Sequence, residues 1–159
     1  MARLDSFYLP PDKWTPPYTL EGDEARHALK VLRLAPGARL RLFDGQGREG
    51  VFVLEQAKGG VTLSLESQAT APEPAVRTWL ALGWNKSSRR GWLMEKASEL
   101  GAAGIMFWRS SRSQGAMPEA PKDTWRAQLV AGAKQCGNPW LPAIEMVQGG
   151  AAGISERCR

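Results

Sequence analysis

One stretch of the chain decides the fold: residues 76–108 read VRTWLALGWNKSSRRGWLMEKASELGAAGIMFW. The apolar run at 76–83 predicts a strand, residues 89–100 carry apolar side chains at helical spacing, and residues 104–108 form a second apolar run. Gly101 follows the helical stretch, where glycine commonly ends a helix. A strand, a helix and a strand in this order predict a β-α-β unit, whose two strands lie parallel in one sheet.

The same rhythm continues towards the carboxyl end of the chain. Pro121 opens a second predicted helix, on which Trp125 and Leu129 share a face, and Gly137 ends it. Residues 143–147 predict a third strand. This alternation of strands and helices is typical of an α/β domain with a mostly parallel sheet and helices packed on its faces.

The amino-terminal part of the chain has a different rhythm. Residues 24–33 predict one short helix, with Asp23 as its cap. Alternating polar and apolar residues predict three strands, at 39–43, 49–55 and 61–65. Turn residues at 44–47 join the first two strands, which predicts a hairpin. We therefore expect a small antiparallel β-barrel or curled sheet.

Two prolines, Pro72 and Pro74, mark the composition shift between these parts. Proline fixes its own φ and lacks an amide hydrogen, so regular structure does not continue through the segment. We therefore expect a β-barrel domain over residues 1–70, a linker over 71–75 and an α/β domain over 76–159.

The formal net charge of +5 is unevenly distributed along the chain. Residues 1–70 carry nine basic and nine acidic side chains, whereas residues 71–159 carry twelve basic and seven acidic ones. A basic region is the usual footprint of a polyanion binder, because Lys and Arg displace counterions from phosphates. The alternative is a solvated basic face that only aids solubility.

The sequence argues against membrane and metal proteins. Its longest apolar runs fall far short of the roughly 18 to 20 residues that a bilayer span requires. Cys136 and Cys158 are too few for a disulfide scaffold and lack the spacing of metal ligands. We expect a cytoplasmic protein that uses neither a membrane nor a metal.

Basic residues follow two neighbouring strands of the predicted sheet. Lys86, Arg89 and Arg90 come after the first strand, and Arg109 and Arg112 come after the second. The carboxyl ends of parallel strands meet at one edge, where α/β sheets bind their ligands. The five cations should therefore converge, which favours a polyanion ligand over a merely solvated face.

Other residues capable of chemistry have simpler interpretations. His27, the only histidine, lies on the predicted short helix, where packing or capping is more common than general-base chemistry. Glu95 and Glu99 are four residues apart beside Lys96, which predicts a surface ion-pair face rather than an acid–base pair. The sequence shows no complete catalytic constellation.

The seven tryptophans raise the question of base stacking. Three of them lie on predicted core faces and are interpreted as packing residues: Trp79, Trp108 and Trp125. Three others are candidates for stacking on a nucleic acid base: Trp84, Trp92 and Trp140.

Short strings spread over most of the chain point to one known family. In the first part they are Arg3 with Phe7, His27, residues 31–33, residues 36–37 and residues 43–45. In the second part they are Lys86, residues 95–101 (EKASELG), and residues 133–137 (AKQCG) followed by Pro142. In identity and order these strings resemble the RsmE family of small-subunit ribosomal RNA methyltransferases, which methylate ring nitrogen N3 of a uridine.

This resemblance implies a fold and an activity. The implied fold is a PUA-like β-barrel that docks RNA, followed by an α/β domain of the SPOUT class. In that class a carboxyl-terminal knot binds S-adenosylmethionine, and the full-length protein works as a homodimer. The implied substrate is a uridine of 16S ribosomal RNA in the small ribosomal subunit. Arg3 and Arg33 are candidate RNA contacts through the resemblance alone.

The predicted edge and the resemblance together nominate eight cations for RNA binding. They are Arg3, Arg33, Lys86, Arg89, Arg90, Lys96, Arg109 and Arg112. The resemblance assigns no catalytic residue in this chain.

The chain also departs from the family pattern. It lacks the Gly-Pro-Glu-Gly-Gly and Leu-Arg-x-Glu-Thr-Ala strings of the knot, and Asn138 stands where the family usually has an arginine. Residues 149–159 resemble a truncated or frameshifted tail. We therefore expect the first half of a SPOUT domain without cofactor-binding residues, inactive by itself. An RNA-binding module without catalysis and a structural interaction domain remain as alternatives.

Overall fold

The computed structural model describes residues 4–57 and 60–158. These residues form two compact units, of which the first ends at Glu73 and the second begins at Pro74. Residues 71–74, at the boundary, have no regular secondary structure.

The first unit is a curled five-stranded sheet with a short helical segment. Its elements are β1 (Ser6–Tyr8), a 3-10 turn (Pro11–Lys13), β2 (Tyr18–Leu20), α1 (Gly22–Arg26), a π-helical turn (His27–Val31), β3 (Arg39–Phe43), β4 (Arg48–Gln56) and β5 (Val61–Thr70). The strand order is β1-β3-β4-β5-β2, in which β1 runs parallel to β3 and the other pairs are antiparallel. The predicted hairpin and curled sheet are confirmed, whereas the sequence did not reveal β1 and β2.

The core of the first unit follows from the alternation along its strands. Leu40 and Leu42 on β3 and Phe52 and Leu54 on β4 are fully buried, while the residues between them are partly exposed. Phe7 on β1 packs into the same cluster. Alternate side chains of a strand point to opposite faces, so one face of the sheet supplies the core.

The short helix differs from its prediction in two respects. Its cap residue is Glu21 rather than Asp23, which lies in the first turn. After Arg26 the chain widens into the π-helical turn, and Arg33 then adopts a left-handed backbone with φ of 53°. The His27 ring meets the Phe7 ring edge-on at 5.9 Å, in agreement with its interpretation as a packed residue.

A buried carboxylate holds the hairpin turn between β3 and β4. Asp44 is only 2% exposed and accepts hydrogen bonds from the backbone amides of Gln46 and Arg48, at 2.7 and 3.1 Å. The Arg48 side chain also donates to Asp44 at 3.0 Å. These three donors compensate the cost of burying the charge.

The second unit is a three-stranded parallel sheet with helices. Its elements are β6 (Trp79–Gly83), α2 (Arg90–Glu99), β7 (Gly104–Trp108), α3 (Asp123–Cys136), β8 (Ala143–Val147) and α4 (Gly150–Arg157). The strand order is β6-β7-β8 and both pairs are parallel. The predicted mostly parallel α/β arrangement is confirmed. The first strand begins at Trp79 rather than Val76, whose side chain is exposed.

Two helices bury one face of this sheet and also pack closely on each other. Ile105 and Phe107 of β7 lie in a core with Met94 of α2 and Leu129 of α3. At the helix crossing, a Cβ added to Gly132 would lie 2.5 Å from the backbone oxygen of Glu95. Only glycine fits there, because the two backbones come too close for a side chain.

Candidate nucleic-acid interface

The loops that follow β6 and β7 begin side by side. The amide of Trp84 donates to the carbonyl of Trp108 at 2.7 Å, just beyond the last paired residues of the two strands. The parallel arrangement continues one step into the loops, as the rule for adjacent parallel strands requires. The residues after Gly83 and after Trp108 therefore leave the sheet at the same edge.

The loop after β6 presents two cations to solvent. Its backbone turns at Ser87, whose hydroxyl accepts a hydrogen bond from the amide of Arg89 at 3.1 Å. Lys86 and Arg89 lie on either side of this turn, and both are exposed. α2 begins immediately afterwards, at Arg90.

The loop after β7 presents two more cations to solvent. The Ser110 amide donates to the Ser113 hydroxyl at 2.9 Å, and the Ser113 amide donates to the Ser110 carbonyl at 3.1 Å. This tight turn projects Arg112, while Arg109 precedes it, and both arginines are exposed. The loop has its shape from internal hydrogen bonds, so it does not depend on a ligand.

All charged side chains in the segments at this edge are positive. The segments 84–90, 109–118 and 148–155, which follow the three strands, contain no acidic residue. None of the four exposed cations ion-pairs with a carboxylate in the part of the chain that the structure describes. We call Lys86, Arg89, Arg109 and Arg112 the cationic edge. Such a cluster attracts phosphates and other polyanions.

Arg90, the fifth predicted cation, faces the core instead. Its guanidinium carbon lies 4.1 Å from the ring centroid of Trp84, 4.7 Å from that of Phe107 and 5.5 Å from that of Trp125. It also donates to the carbonyl of Asn85. The prediction that Arg90 projects with the other four cations is therefore corrected, because its half-buried guanidinium stacks on three aromatic rings.

Desolvation of Arg90 lowers the pKa of its guanidinium. Arginine nevertheless stays protonated in proteins at neutral pH. Arg90 is thus a charged group that fixes the start of α2 and the end of the loop that carries Lys86 and Arg89.

Lys96 does not reach the cationic edge either. It lies six residues along α2 from Arg90, about 9 Å at the helical rise. Its ammonium pairs with Glu99 at 2.6 Å. The predicted ion pairing is confirmed for Lys96 and Glu99, and Lys96 is separated from the converging cations.

The first part of the chain supplies two further candidates. Arg33 is exposed in the first unit, directly after the π-helical turn. Arg3 lies outside the described residues. Within residues 4–57 and 60–158, no group of His, Cys, Asp or Glu side chains could hold a metal ion. No helix in this part of the chain is long and apolar enough to cross a membrane.

The division of the tryptophans into buried and exposed residues differs from the prediction. Trp84 is 9% exposed and packs in the core against Phe107, so it is not available for stacking. Trp125 is buried as predicted. Trp140 is half-buried, and its indole nitrogen is enclosed. Trp92 is the candidate that stays open to solvent, at 62% exposure.

The loops at this edge offer cations but no acidic partner to S-adenosylmethionine. That cofactor carries a cationic sulfonium, an amine and a carboxylate, and only its carboxylate would find an opposite charge here. The turn that begins α4 is also filled by backbone. A Cβ on Gly153 would overlap the carbonyl of Gln148, and one on Gly150 would lie 3.3 Å from the carbonyl of Arg109. The charges of the described loops therefore suit a polyanion.

Two family models match the chain. The model of the RNA methyltransferase domain matches residues 72–157, and that of the RNA methyltransferase PUA domain matches residues 20–66. The first match includes the whole parallel sheet, the cationic edge and α4.

Curated proteins of one name are similar to the chain. The ribosomal RNA small subunit methyltransferase E of Mycobacterium bovis is 31% identical over 133 residues, which cover 80% of this chain and 51% of that protein. Its namesake from Bacillus subtilis is 26% identical over 100 residues, which cover 62% and 39%. The chain thus spans about half the length of the mycobacterial relative it matches.

Solved structures share the fold. A Porphyromonas gingivalis protein, described as a probable rRNA-methyltransferase, matches with a TM-score of 0.78 at 31% identity, over 90% of this chain and 60% of that one. A Legionella pneumophila methyltransferase, solved with the bound cofactor SAM, matches with a TM-score of 0.77 at 25% identity, over 91% and 63%.

A PUA-like curled sheet followed by a parallel α/β unit of the SPOUT type defines a class of RNA methyltransferases. Within this class, the chain belongs to the ribosomal RNA small subunit methyltransferase E, or RsmE, family. The resemblance inferred from short strings is confirmed, and S-adenosylmethionine is the cofactor of the family.

Proposed function

We propose that this chain is the RNA-docking part of a methyltransferase that modifies N3 of a uridine in 16S ribosomal RNA. The observation that carries the proposal is the cationic edge, four exposed cations without acidic partners among the described residues. Membership of the RsmE family supports the choice of ribosomal RNA over other polyanions. The small ribosomal subunit, a homodimeric assembly and a cytoplasmic location belong to the same proposal.

The chemistry of uracil explains what a cationic edge contributes. N3 carries a proton and lies on the pairing edge of the base, so the base must leave its stack and lose that proton before N3 acts as a nucleophile. Cations near the base stabilise the developing anion, and cations farther along the strand hold flanking phosphates. Lys86 and Arg109, on neighbouring loops of one edge, suit these tasks.

The proposal separates RNA docking from methyl transfer. Because the segments after the three strands offer no carboxylate to the sulfonium or the amine of S-adenosylmethionine, we propose that the 159 residues bind RNA without methylating it when alone. Calorimetry with S-adenosylmethionine should therefore show no binding to this chain. Measurable binding, or methyl incorporation at N3 of a uridine, would show that residues assigned to RNA docking build the cofactor site.

Salt dependence of RNA affinity tests the cationic edge. The dissociation constant of a single-stranded 16S ribosomal RNA fragment is measured by fluorescence anisotropy over a salt series. The plot of log K against log salt has a negative slope, and its magnitude decreases by about 0.7 for each phosphate contact removed. Changing Lys86, Arg89, Arg109 and Arg112 together to Ala should reduce the magnitude of the slope by up to about three.

A matched control removes one charge at the opposite end of the sheet. Arg77 precedes β6 and is also exposed, so Arg77→Ala should leave the slope nearly unchanged. Arg109→Ala should reduce the magnitude of the slope by about 0.7. Equal effects of Arg77→Ala and Arg109→Ala would assign RNA binding to net charge alone and overturn the proposed interface.

A further inference from the structure

Trp92 is a large aromatic side chain left in water beside the cationic edge. It lies in the first turn of α2, three residues after Arg89, and is 62% exposed. Burying an indole stabilises a folded protein, so an exposed one does not contribute its full apolar area to the fold. By contrast, the neighbouring Trp84 and Trp125 are buried in the core.

Helix geometry places Trp92 on the same side as a cation. The amide of Leu93 donates to the carbonyl of Arg89 at 3.0 Å, so helical spacing already applies in this turn. Residues three apart on a helix are neighbours, with Cβ atoms about 5 to 6 Å apart. Arg89, the cap residue of α2, and Trp92, in its first turn, are thus both exposed and three residues apart at the start of the helix.

The turn that carries Trp92 is held rigidly from within. Arg90 is stacked among core aromatic rings, and Gly91 lies so close to Gln128 of α3 that a Cβ on Gly91 would overlap the Gln128 amide. The residues on either side of the indole thus make inward contacts, Arg90 with the core rings and Gly91 with the Gln128 side chain. A fixed aromatic face loses little conformational entropy when a ligand stacks on it.

We propose that Trp92 stacks on an unpaired base of the RNA strand whose phosphates are held by Lys86 and Arg89. This inference rests on the proposed function and specifies the form of the RNA as single-stranded at this point. Proteins that bind single strands combine a positive groove with aromatic side chains on which bases stack. A second copy of this chain fits less well, because pairing Trp92 with its symmetry mate would bring two Arg89 charges together.

Substitutions at Trp92 distinguish stacking from general apolar contact. Trp92→Ala should weaken binding of a single-stranded 16S ribosomal RNA fragment about fivefold to 150-fold, the range for loss of one stacked base. Trp92→Phe should restore most of the affinity. Leu100→Ala is the matched control, since Leu100 is an exposed apolar residue just after the other end of α2 and should change nothing.

Two further readouts identify the role of the ring. Trp92→Ala should leave the salt slope unchanged, whereas Arg89→Ala should lower its magnitude by about 0.7. The loss of affinity caused by Trp92→Ala should be much smaller for a fully paired RNA duplex, because a duplex offers no splayed base. Far-UV circular dichroism of each variant confirms that the fold is intact.

Each contrary result has a defined meaning. Equal losses for single strand and duplex would overturn base stacking. An unchanged RNA affinity together with a shift in sedimentation would overturn it as well, and would assign Trp92 to a contact between copies of the chain. If the wild-type chain fails to bind RNA at low salt, the proposed function fails too. If only Trp92→Ala is without effect, the proposed function stands and the stacking inference fails.

Discussion

The guanidinium carbon of Arg90 lies 4.1 Å from the ring centroid of Trp84. Trp84 is the first residue after β6 and Arg90 is the first residue of α2, so this contact closes the loop between them. The loop carries Lys86 and Arg89. A contact inside the core thus shapes the loop whose exposed cations face solvent.

Removal of this contact should destabilise the second unit. We expect Arg90→Ala to lower the free energy of unfolding by about 1 to 2 kcal/mol, because a half-buried cation–π contact lies between the exposed and the desolvated case. Arg90→Lys should recover only part of the loss, since an ammonium lacks the planar face that stacks on an indole. The measurement is urea unfolding followed by circular dichroism. Arg112→Ala, at an exposed site, serves as control and should stay within about 0.5 kcal/mol of wild type.

Arg33 should be replaceable by glycine with a gain in stability. Its φ of 53° is a left-handed conformation that costs a residue with a side chain about 1 to 2 kcal/mol. Glycine avoids this cost but loses more backbone entropy on folding, which leaves a net gain of about 0.5 to 1 kcal/mol for Arg33→Gly. Arg33→Ala keeps the strain and should give no gain. RNA affinities of both variants also test whether Arg33 contacts RNA, because each removes the same charge.

Gly132 should not tolerate even one methyl group. A Cβ at this position would meet the backbone oxygen of Glu95 at 2.5 Å, and backbone cannot rotate away as a side chain can. We expect Gly132→Ala to destabilise the second unit by about 1 to 3 kcal/mol, the cost of overpacking. Ala131→Ser, at the exposed neighbouring position of α3, should cost less than about 0.5 kcal/mol. Equal midpoints for the two variants in urea would contradict the close helix crossing.

The docking of α4 should depend on pH. Two hydrogen bonds from Arg157, at 2.8 and 2.7 Å, hold the pKa of Glu145 below its ordinary value. A carboxyl whose pKa is lowered by folding stabilises the fold above its unfolded-state pKa, and this contribution is lost as the pH falls through the folded-state pKa. The loss should therefore set in below about pH 4.

A charge-neutral variant isolates this effect. Glu145→Gln should make the urea midpoint of the second unit less sensitive to acidification between pH 6 and pH 3. Glu156→Gln, at an exposed position of α4, is the matched control and should follow the wild type. An unaltered pH profile in Glu145→Gln would show that the pair with Arg157 does not hold the helix.

The sequence was sufficient where local signals agreed with the tertiary structure. The strands at 104–108 and 143–147 were predicted with their observed bounds, because each is a short, mostly apolar segment with a glycine or proline close by. The strands β1 and β2 were missed, since each has only three residues and takes its conformation from distant partners. Such pairing leaves little local trace.

The site was predictable in position but not in detail. The topology places the residues after β6 and β7 at one edge, and the alternation of elements was enough to predict that. Which of two adjacent arginines turns inward could not be read from the sequence. Arg90 does so because Trp84, Phe107 and Trp125 surround a space for it, and that space exists only after the core has formed.

The parallel pairing of β1 with β3 sets an order of events during synthesis. Ser6 pairs with Arg41, 35 residues later in the chain. At about 5 to 20 residues per second, the ribosome needs roughly 2 to 7 seconds to make that interval. During this time Phe7 has been translated but lacks the strand against which it is buried. During synthesis β1 therefore waits for its partner, and its apolar side chains stay accessible to a chaperone for that interval.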